Sequence, residues 1–93
     1  MAYIVVGCGR VGAEVAQRLY QRGHAVAVID QEPAAFQNLN PGFKGRLLEG
    51  DALDRPVLER AGIGEATGLA AVTNSDSLNA VVGHLARQIY HVP

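Results

Sequence analysis

Six residues constrain this chain more than any others: Gly7-Cys8-Gly9-Arg10-Val11-Gly12 reads G-x-G-x-x-G. The pattern carries information only between a strand and a helix, and both flanks meet that condition. Tyr3-Ile4-Val5-Val6 is a short run rich in β-branched residues, stopped by Gly7, which reads as a strand buried on both faces. From Arg10 the period changes: Val11, Val15 and Leu19 recur every four residues beside Ala16, while Glu14, Gln17, Arg18, Gln21 and Arg22 take the opposite face. That helix ends at Gly23, a suitable C′ residue, with Arg18 and Arg22 near the negative end of its dipole. Each glycine has its own task. Gly7 permits the tight turn, Gly9 lets a pyrophosphate approach the backbone, and Gly12 lets the helix pack closely on the strand. The free N–H groups and the positive helix end then face the anion. A tight turn with no ligand is the competing reading; strand, spacing and helix together favour nucleotide binding.

Ala25-Val26-Ala27-Val28-Ile29 gives a second apolar strand closed by Asp30, completing a βαβ unit. A short helix over Pro33–Leu39, a Pro41-Gly42 turn and a third strand around Arg46–Glu49 follow, punctuated by Gly50. Asp54 is placed to cap a helix running to about Ala61, with Pro56 in its first turn and Gly62 and Gly64 ending it. Leu69-Ala70-Ala71-Val72 is the fourth strand. Leu78, Val81, Val82, Leu85, Ala86 and Ile89 then trace the apolar stripe of a last helix behind a Ser/Asn/Asp cap region. Alternating strands and helices joined by right-handed crossovers make a parallel sheet of order 3-2-1-4 with helices on both faces. This is a Rossmann-like α/β sheet, a truncated half of the dinucleotide-binding fold plus one strand. Its topological switch point, where a ligand belongs, lies between strands 1 and 4. Residues 1–93 form a single lobe, and the strand expected next is absent.

Composition agrees. The chain is 48% hydrophobic, with 11 glycines besides, and 18% charged, against roughly 25% charged for an average domain. It is not a disordered chain. A domain this small hides only about 60–65% of its unfolded surface, so apolar surface is left for a neighbour: an oligomer, or a larger parent, is expected. That surface is expected on the helices and along the open edge of strand 4. Net charge is -1 and the eight basic residues are scattered in sequence, so no footprint for nucleic acid or anionic lipid is visible. A single cysteine and three scattered histidines give no internal disulfide and no metal motif, which fits a reducing cytosol. The first apolar run ends at Gly7, too soon for a signal peptide or a membrane span.

Asp30 stands eighteen residues after Gly12, where a carboxylate can accept hydrogen bonds from ribose hydroxyls. It would repel a 2′-phosphate, and Gln31 rather than an arginine follows, so NADP is disfavoured; a plain cap for the next helix is the competing role. Arg10 either pairs with a phosphate or is a solvated first-turn residue. Asp51-Ala52 follows strand 3 at the same sheet edge and is placed either to read an adenine edge or as a solvated turn. Thr73-Asn74 ends strand 4 across the switch point, to touch phosphate or ribose or to cap the last helix. Cys8 has no neighbouring His or Lys to activate it and reads as a space-filling residue. His24, His84 and His91 are isolated and take no role.

Four stretches together carry a family resemblance: Gly7 to Gly12; Val28-Ile29-Asp30; Gly50-Asp51-Ala52 with Val57-Leu58-Glu59-Arg60-Ala61-Gly62-Ile63; and Thr73-Asn74-Ser75-Asp76 with Asn79 and Leu85-Ala86-Arg87. In order and spacing the chain resembles the N-terminal lobe of RCK (KTN, TrkA-N type) domains, the regulatory domains of Trk/Ktr potassium uptake systems and prokaryotic potassium channels. The resemblance implies an NAD(H)- or ATP/ADP-binding regulatory module that catalyses no reaction. It implies assembly into homo-oligomers, as dimers or rings, and control of a potassium-translocating membrane subunit or pore domain. The location implied is cytoplasmic, at the inner face of the membrane through that partner, without insertion. Residue by residue it implies phosphate binding by Gly7, Gly9, Arg10, Val11 and Gly12, ribose contact by Asp30, adenine contacts by Asp51 and Ala52, and a ligand-lining place for Thr73 and Asn74. Ser75 and Ser77 depart from the family, where acidic residues are frequent, and a second lobe is missing.

The alternative from another class is the cofactor half of an NAD-dependent dehydrogenase. Hydride transfer needs a second half that holds nicotinamide and a substrate-facing acid or base; here the single lysine lies outside any Tyr-x-x-x-Lys arrangement and no histidine ends a strand. A methyltransferase would share the acid after strand 2, but the chain is too short for a seven-stranded sheet.

Overall fold

The structure is a computed structural model that describes residues 1–88 together with Val92. β1 (Ala2–Val6), β2 (Ala25–Asp30), β3 (Arg46–Glu49) and β4 (Gly68–Ala71) form one parallel sheet of order β3-β2-β1-β4. Between them run α1 (Arg10–Gln21) and α2 (Arg55–Arg60), with α3 (Asp76–Gln88) after β4. Ile89, expected in the last helix, lies outside the described residues. The expected order 3-2-1-4 is the observed one.

Side-chain alternation in the central strands builds two cores. On one face Val5, Val26 and Val28 meet Cys8, Ala13 and Ala16 from the loop and α1, with Phe36 and Leu39 at the margin. On the other, Ile4, Val6, Ala27 and Ile29 meet Val57 and Leu58 of α2, Ile63, and Val82 and Ala86 of α3. A period of two puts neighbours on opposite faces, so an unbroken apolar run in β1 and β2 means that both faces are covered. Val5 is the centre of the sheet, paired with Val28 on one side and Ala70 on the other.

The ends of α1 and α3 are set by local chemistry. Behind α1 the Gly23 N–H donates to the Tyr20 carbonyl and the His24 N–H to that of Leu19, at 3.0 and 3.2 Å. This pair of bonds is a Schellman cap, and it requires the left-handed φ of +87° that Gly23 supplies. At α3 the Ser75 hydroxyl accepts the Leu78 N–H at 3.1 Å, an N-cap bond. Asp54 precedes α2, but its side chain makes no cap bond; its carbonyl instead accepts the Val57 and Leu58 N–H groups.

Three elements differ from expectation in detail. The helix expected over Pro33–Leu39 is a 3-10 helix, Pro33–Asn38, and six residues are too few to offset the cost of α-helix nucleation without a buried face. Gly62 ends α2 with a φ of +88°, but Gly64 sits inside a further 3-10 turn, Ile63–Glu65. β4 begins one residue early, because Gly68 pairs with Tyr3 where an added Cβ would lie 3.0 Å from the tyrosine ring. Val72, expected as the last strand residue, still donates its N–H to the Val6 carbonyl.

Among the described residues the large exposed apolar side chains are Met1, Val11, Leu47, Leu53 and Val81. Val11 and Val81 lie on helices, as expected, and the β4 residues are half-buried along the open edge. Leu47, on the opposite edge strand, was not anticipated. No helix among the described residues is long and apolar enough to cross a membrane.

Candidate functional site

The three glycines of the loop are held by three different constraints. Gly7 turns the chain out of β1 with a φ of +104°, its N–H donating to the Ile29 carbonyl at 2.8 Å. Gly12 is pressed onto that turn: a Cβ here would lie 1.8 Å from the Gly7 carbonyl oxygen, so only glycine fits. Gly9 is different. As the N-cap of α1 it has an ordinary φ of -71°, and nothing stands within 4 Å of the place its Cβ would occupy. Among the described residues nothing excludes a side chain there, and Gly9 lines the cleft described below.

No side chain caps the start of α1; its first helical bond runs from the Ala13 N–H to the Gly9 carbonyl at 2.9 Å. The earlier N–H groups of the first turn are the orphan donors that every helix start leaves, at the positive end of its dipole. Arg10 and Val11 occupy that turn and are exposed.

Asp30, at the end of β2, ties the loop to the sheet. One carboxylate oxygen accepts the Cys8 N–H at 2.7 Å and the other the Glu32 N–H at 2.8 Å. The second bond is a local turn of the kind aspartate favours; the first reaches across 22 residues. Asn38, on the 3-10 helix, donates its amide to the Cys8 carbonyl at 2.9 Å, so both backbone groups of Cys8 are held. The Cys8 side chain is fully buried, and burial, with a smaller contribution from the Asp30 carboxylate, pushes its thiol up to about 11. It is a space-filling thiol, as expected, and not an activated one.

Across the switch point β4 runs into the Thr73–Ser75 turn, which lies against Gly7: Thr73 N and Cγ2 stand 3.1 Å from where a Gly7 Cβ would be. Loop, strand ends and turn enclose an open cleft of about 390 Å³ at the C-terminal edge of the sheet. That lies within the roughly 300–1,000 Å³ usual for small-molecule sites. Of the residues singled out from sequence, Gly7, Gly9, Asp30, Ala52, Thr73 and Asn74 line it. Arg10, Val11, Gly12 and Asp51 do not. Gly12 is buried under the turn, Arg10 and Val11 are exposed in the first turn of α1, and Asp51 is exposed with its carboxylate accepting the Leu53 N–H.

Sequence reasoning missed Glu32, Gly50 and Leu78, which also line the cleft, and the two amides that brace it, Asn38 and Asn79. Gly50 and Asn79 left a signal, through the motifs around Asp51 and Thr73, though neither was given a role. Among the described residues the charged groups lining the cleft are the carboxylates Asp30 and Glu32, so positive potential in it comes from the α1 terminus.

A glycine loop opening a helix, an acid ending the neighbouring strand and a cleft at the switch point of a 3-2-1-4 sheet define a Rossmann-like domain. Within that class the chain belongs to the TrkA-N domain family, whose model matches residues 3–93. It is 44% identical over 92 residues to a Trk system potassium uptake protein TrkA of Streptomyces coelicolor, covering 99% of this chain and 41% of that protein. A Trk system potassium uptake protein TrkA homolog of Pyrococcus horikoshii is 36% identical, over 96% of this chain and 39% of its own length. The chain thus spans less than half the length of these relatives. Among solved structures, the AMP-bound form of the Shewanella denitrificans Kef CTD superposes with a TM-score of 0.83 at 24% identity, covering 99% of this chain and 55% of that one. The Bordetella bronchiseptica enzyme WbmH in complex with NAD+ gives 0.75 at 22% identity, over 98% and 36%. Both likenesses are of fold.

Proposed function

We propose that residues 1–93 form a nucleotide-sensing lobe that binds an adenine nucleotide, NAD(H) or ATP/ADP, in the cleft between β1 and β4 and thereby regulates potassium uptake through a membrane partner. The observation that carries the proposal is Gly9, bare at the cleft wall although the protein itself leaves room for a side chain. A pyrophosphate on the first-turn N–H groups of α1 explains that bareness, with Gly7 and Gly12 shaping the loop, Val11 contributing its backbone and Arg10 adding charge at the mouth. Asp30 faces the ribose, and Asp51 and Ala52 lie on the adenine side. Thr73 and Asn74 close the far wall. The two similar folds hold AMP and NAD+, which share the adenosine monophosphate moiety that this half-sheet would recognise.

The relatives are named as potassium uptake proteins, which supports a regulatory role over a catalytic one. The state of Asp30 supports it too: both its oxygens already accept backbone N–H groups, an arrangement suited to holding the loop rather than to proton transfer. The lobe works at the cytoplasmic face of the membrane, in a homo-oligomer that buries the exposed apolar side chains of its helices. Regulation requires the nucleotide to prefer one state of the assembly, and a tenfold preference supplies about 1.4 kcal/mol per site. Affinity for NADH and ADP is therefore expected to differ between the full-length protein alone and the same protein on its potassium-translocating partner. Equal affinities in the two conditions would remove the regulatory role and leave the binding site standing.

A further inference from the structure

Asn79 stands on the second turn of α3 and does not line the cleft, yet it holds a residue that does. Its side-chain oxygen accepts both the Thr73 N–H, at 2.9 Å, and the Thr73 hydroxyl, at 2.6 Å. Its amide donates back to the Thr73 carbonyl at 3.2 Å. The Thr73 oxygen in turn accepts the Ser75 N–H at 3.1 Å. The hydroxyl's single proton has two acceptors in reach, the Asn79 oxygen and, at 3.2 Å, the Ser75 carbonyl; the shorter contact is to Asn79, and one of the hydroxyl's lone pairs takes the Ser75 N–H.

This arrangement has a chemical consequence at the cleft. A phosphate oxygen only accepts hydrogen bonds. Thr73, packed against the Gly7 turn, therefore offers a phosphate nothing while its proton points at Asn79; to bind one, the hydroxyl must turn and release that bond. Asn79 then loses its shortest partner on Thr73. It is joined through α3 to Val82 and Ala86, both buried in the core beneath the sheet, and to Val81, which is exposed. The loop, the Thr73–Ser75 turn and α3 form one contiguous chain of contacts.

Resting on the nucleotide-binding reading above, we propose that Asn79 is the positioning residue that couples the cleft to α3: phosphate at the loop takes the Thr73 hydroxyl from Asn79, and the freed amide changes the first two turns of α3. The two states are a Thr73 hydroxyl donated to Asn79 and one donated to phosphate. α3 presents the outer surface on which the change can be read by a neighbour.

The test is hydrogen–deuterium exchange of the full-length protein with and without ADP, with adenosine as the phosphate-free control and calorimetry on the same samples. In the wild type, ADP and not adenosine is expected to change exchange over residues 76–82. Asn79→Ala is expected to keep ADP affinity within about fivefold, the equivalent of one neutral hydrogen bond, and to lose the α3 response. Thr73→Val serves as the second variant: the backbone bonds between residue 73 and Asn79 remain, so the turn keeps its brace, and the response is again expected to vanish. Binding without a change in α3 in the wild type, or a full α3 response in either variant, overturns the coupling and leaves nucleotide binding intact. Absence of ADP binding by calorimetry in the wild type overturns both.

Discussion

Gly9 and Gly12 are three residues apart in one motif and fail differently when changed. Gly12→Ala drives a methyl group into the Gly7 carbonyl and is expected to cost about 3 kcal/mol or more of stability, read by urea denaturation. Gly9→Val meets open space at an ordinary φ, so it is expected to fold with a loss of no more than about 1 kcal/mol. Its effect falls on the ligand. Asp30→Ala is a less specific probe, because it removes the proposed ribose acceptor together with the anchor of the Cys8 N–H. Cys8 gives a pH signature. Its thiol ionises more easily in the unfolded chain, near 9, than in the fold, near 11. The unfolded state therefore releases its proton first, and this residue's contribution to stability is fully present below pH 9 and is lost as pH rises toward 11. Cys8→Ala is expected to show a shallower fall in stability over that window, and an unchanged slope would contradict the burial argument. The motif's spacing was legible in sequence, and so were the turn at Gly7 and the close packing at Gly12. The anchoring bonds from Asp30 and Asn38 to Cys8 were not, since neither the 22-residue nor the 30-residue separation leaves a periodic trace.

Among the elements, those with strong local signals were read closely. β3 occupies Arg46–Glu49 as expected, and α1 starts at Arg10 and ends before Gly23 because the apolar period and the cap agree. Gly23→Ala is expected to lower stability by about 1 kcal/mol, since alanine must take a φ of +87°. Ser75→Ala removes the side-chain cap of α3 and is expected to cost a similar amount, about 1 kcal/mol, visible as a fall in melting temperature. The segment after β2 was harder to read. Pro33 signals a helix start, but the apolar residues behind it are too few to decide between a 3-10 and an α form, and the lack of a buried face leaves the segment in the 3-10 form. The Thr73–Asn79 clasp was equally hidden: Thr73, Asn74 and Ser75 all look like caps in sequence, and only the turn geometry separates the threonine held by Asn79 from the serine that caps α3.

At the scale of the whole molecule, the parallel sheet brings all four strand ends to one edge, where the glycine loop, Asp30, Ala52 and Thr73 meet. Residues spread over more than sixty positions thus share one cleft because topology alone places them there. The order of strands could be read from the alternation of apolar runs, and with it the location of the site. The relatives it matches are more than twice as long as this chain. The most direct measurement is a calorimetric titration of the full-length protein with ADP and with NADH, run in parallel on the wild type and on Gly9→Val, with circular dichroism to show that both are folded. Saturable binding by the wild type and none by the folded variant is the predicted result. Equal affinity in the two proteins, or no binding of either nucleotide by the wild type, would contradict a nucleotide site at the β1–α1 loop.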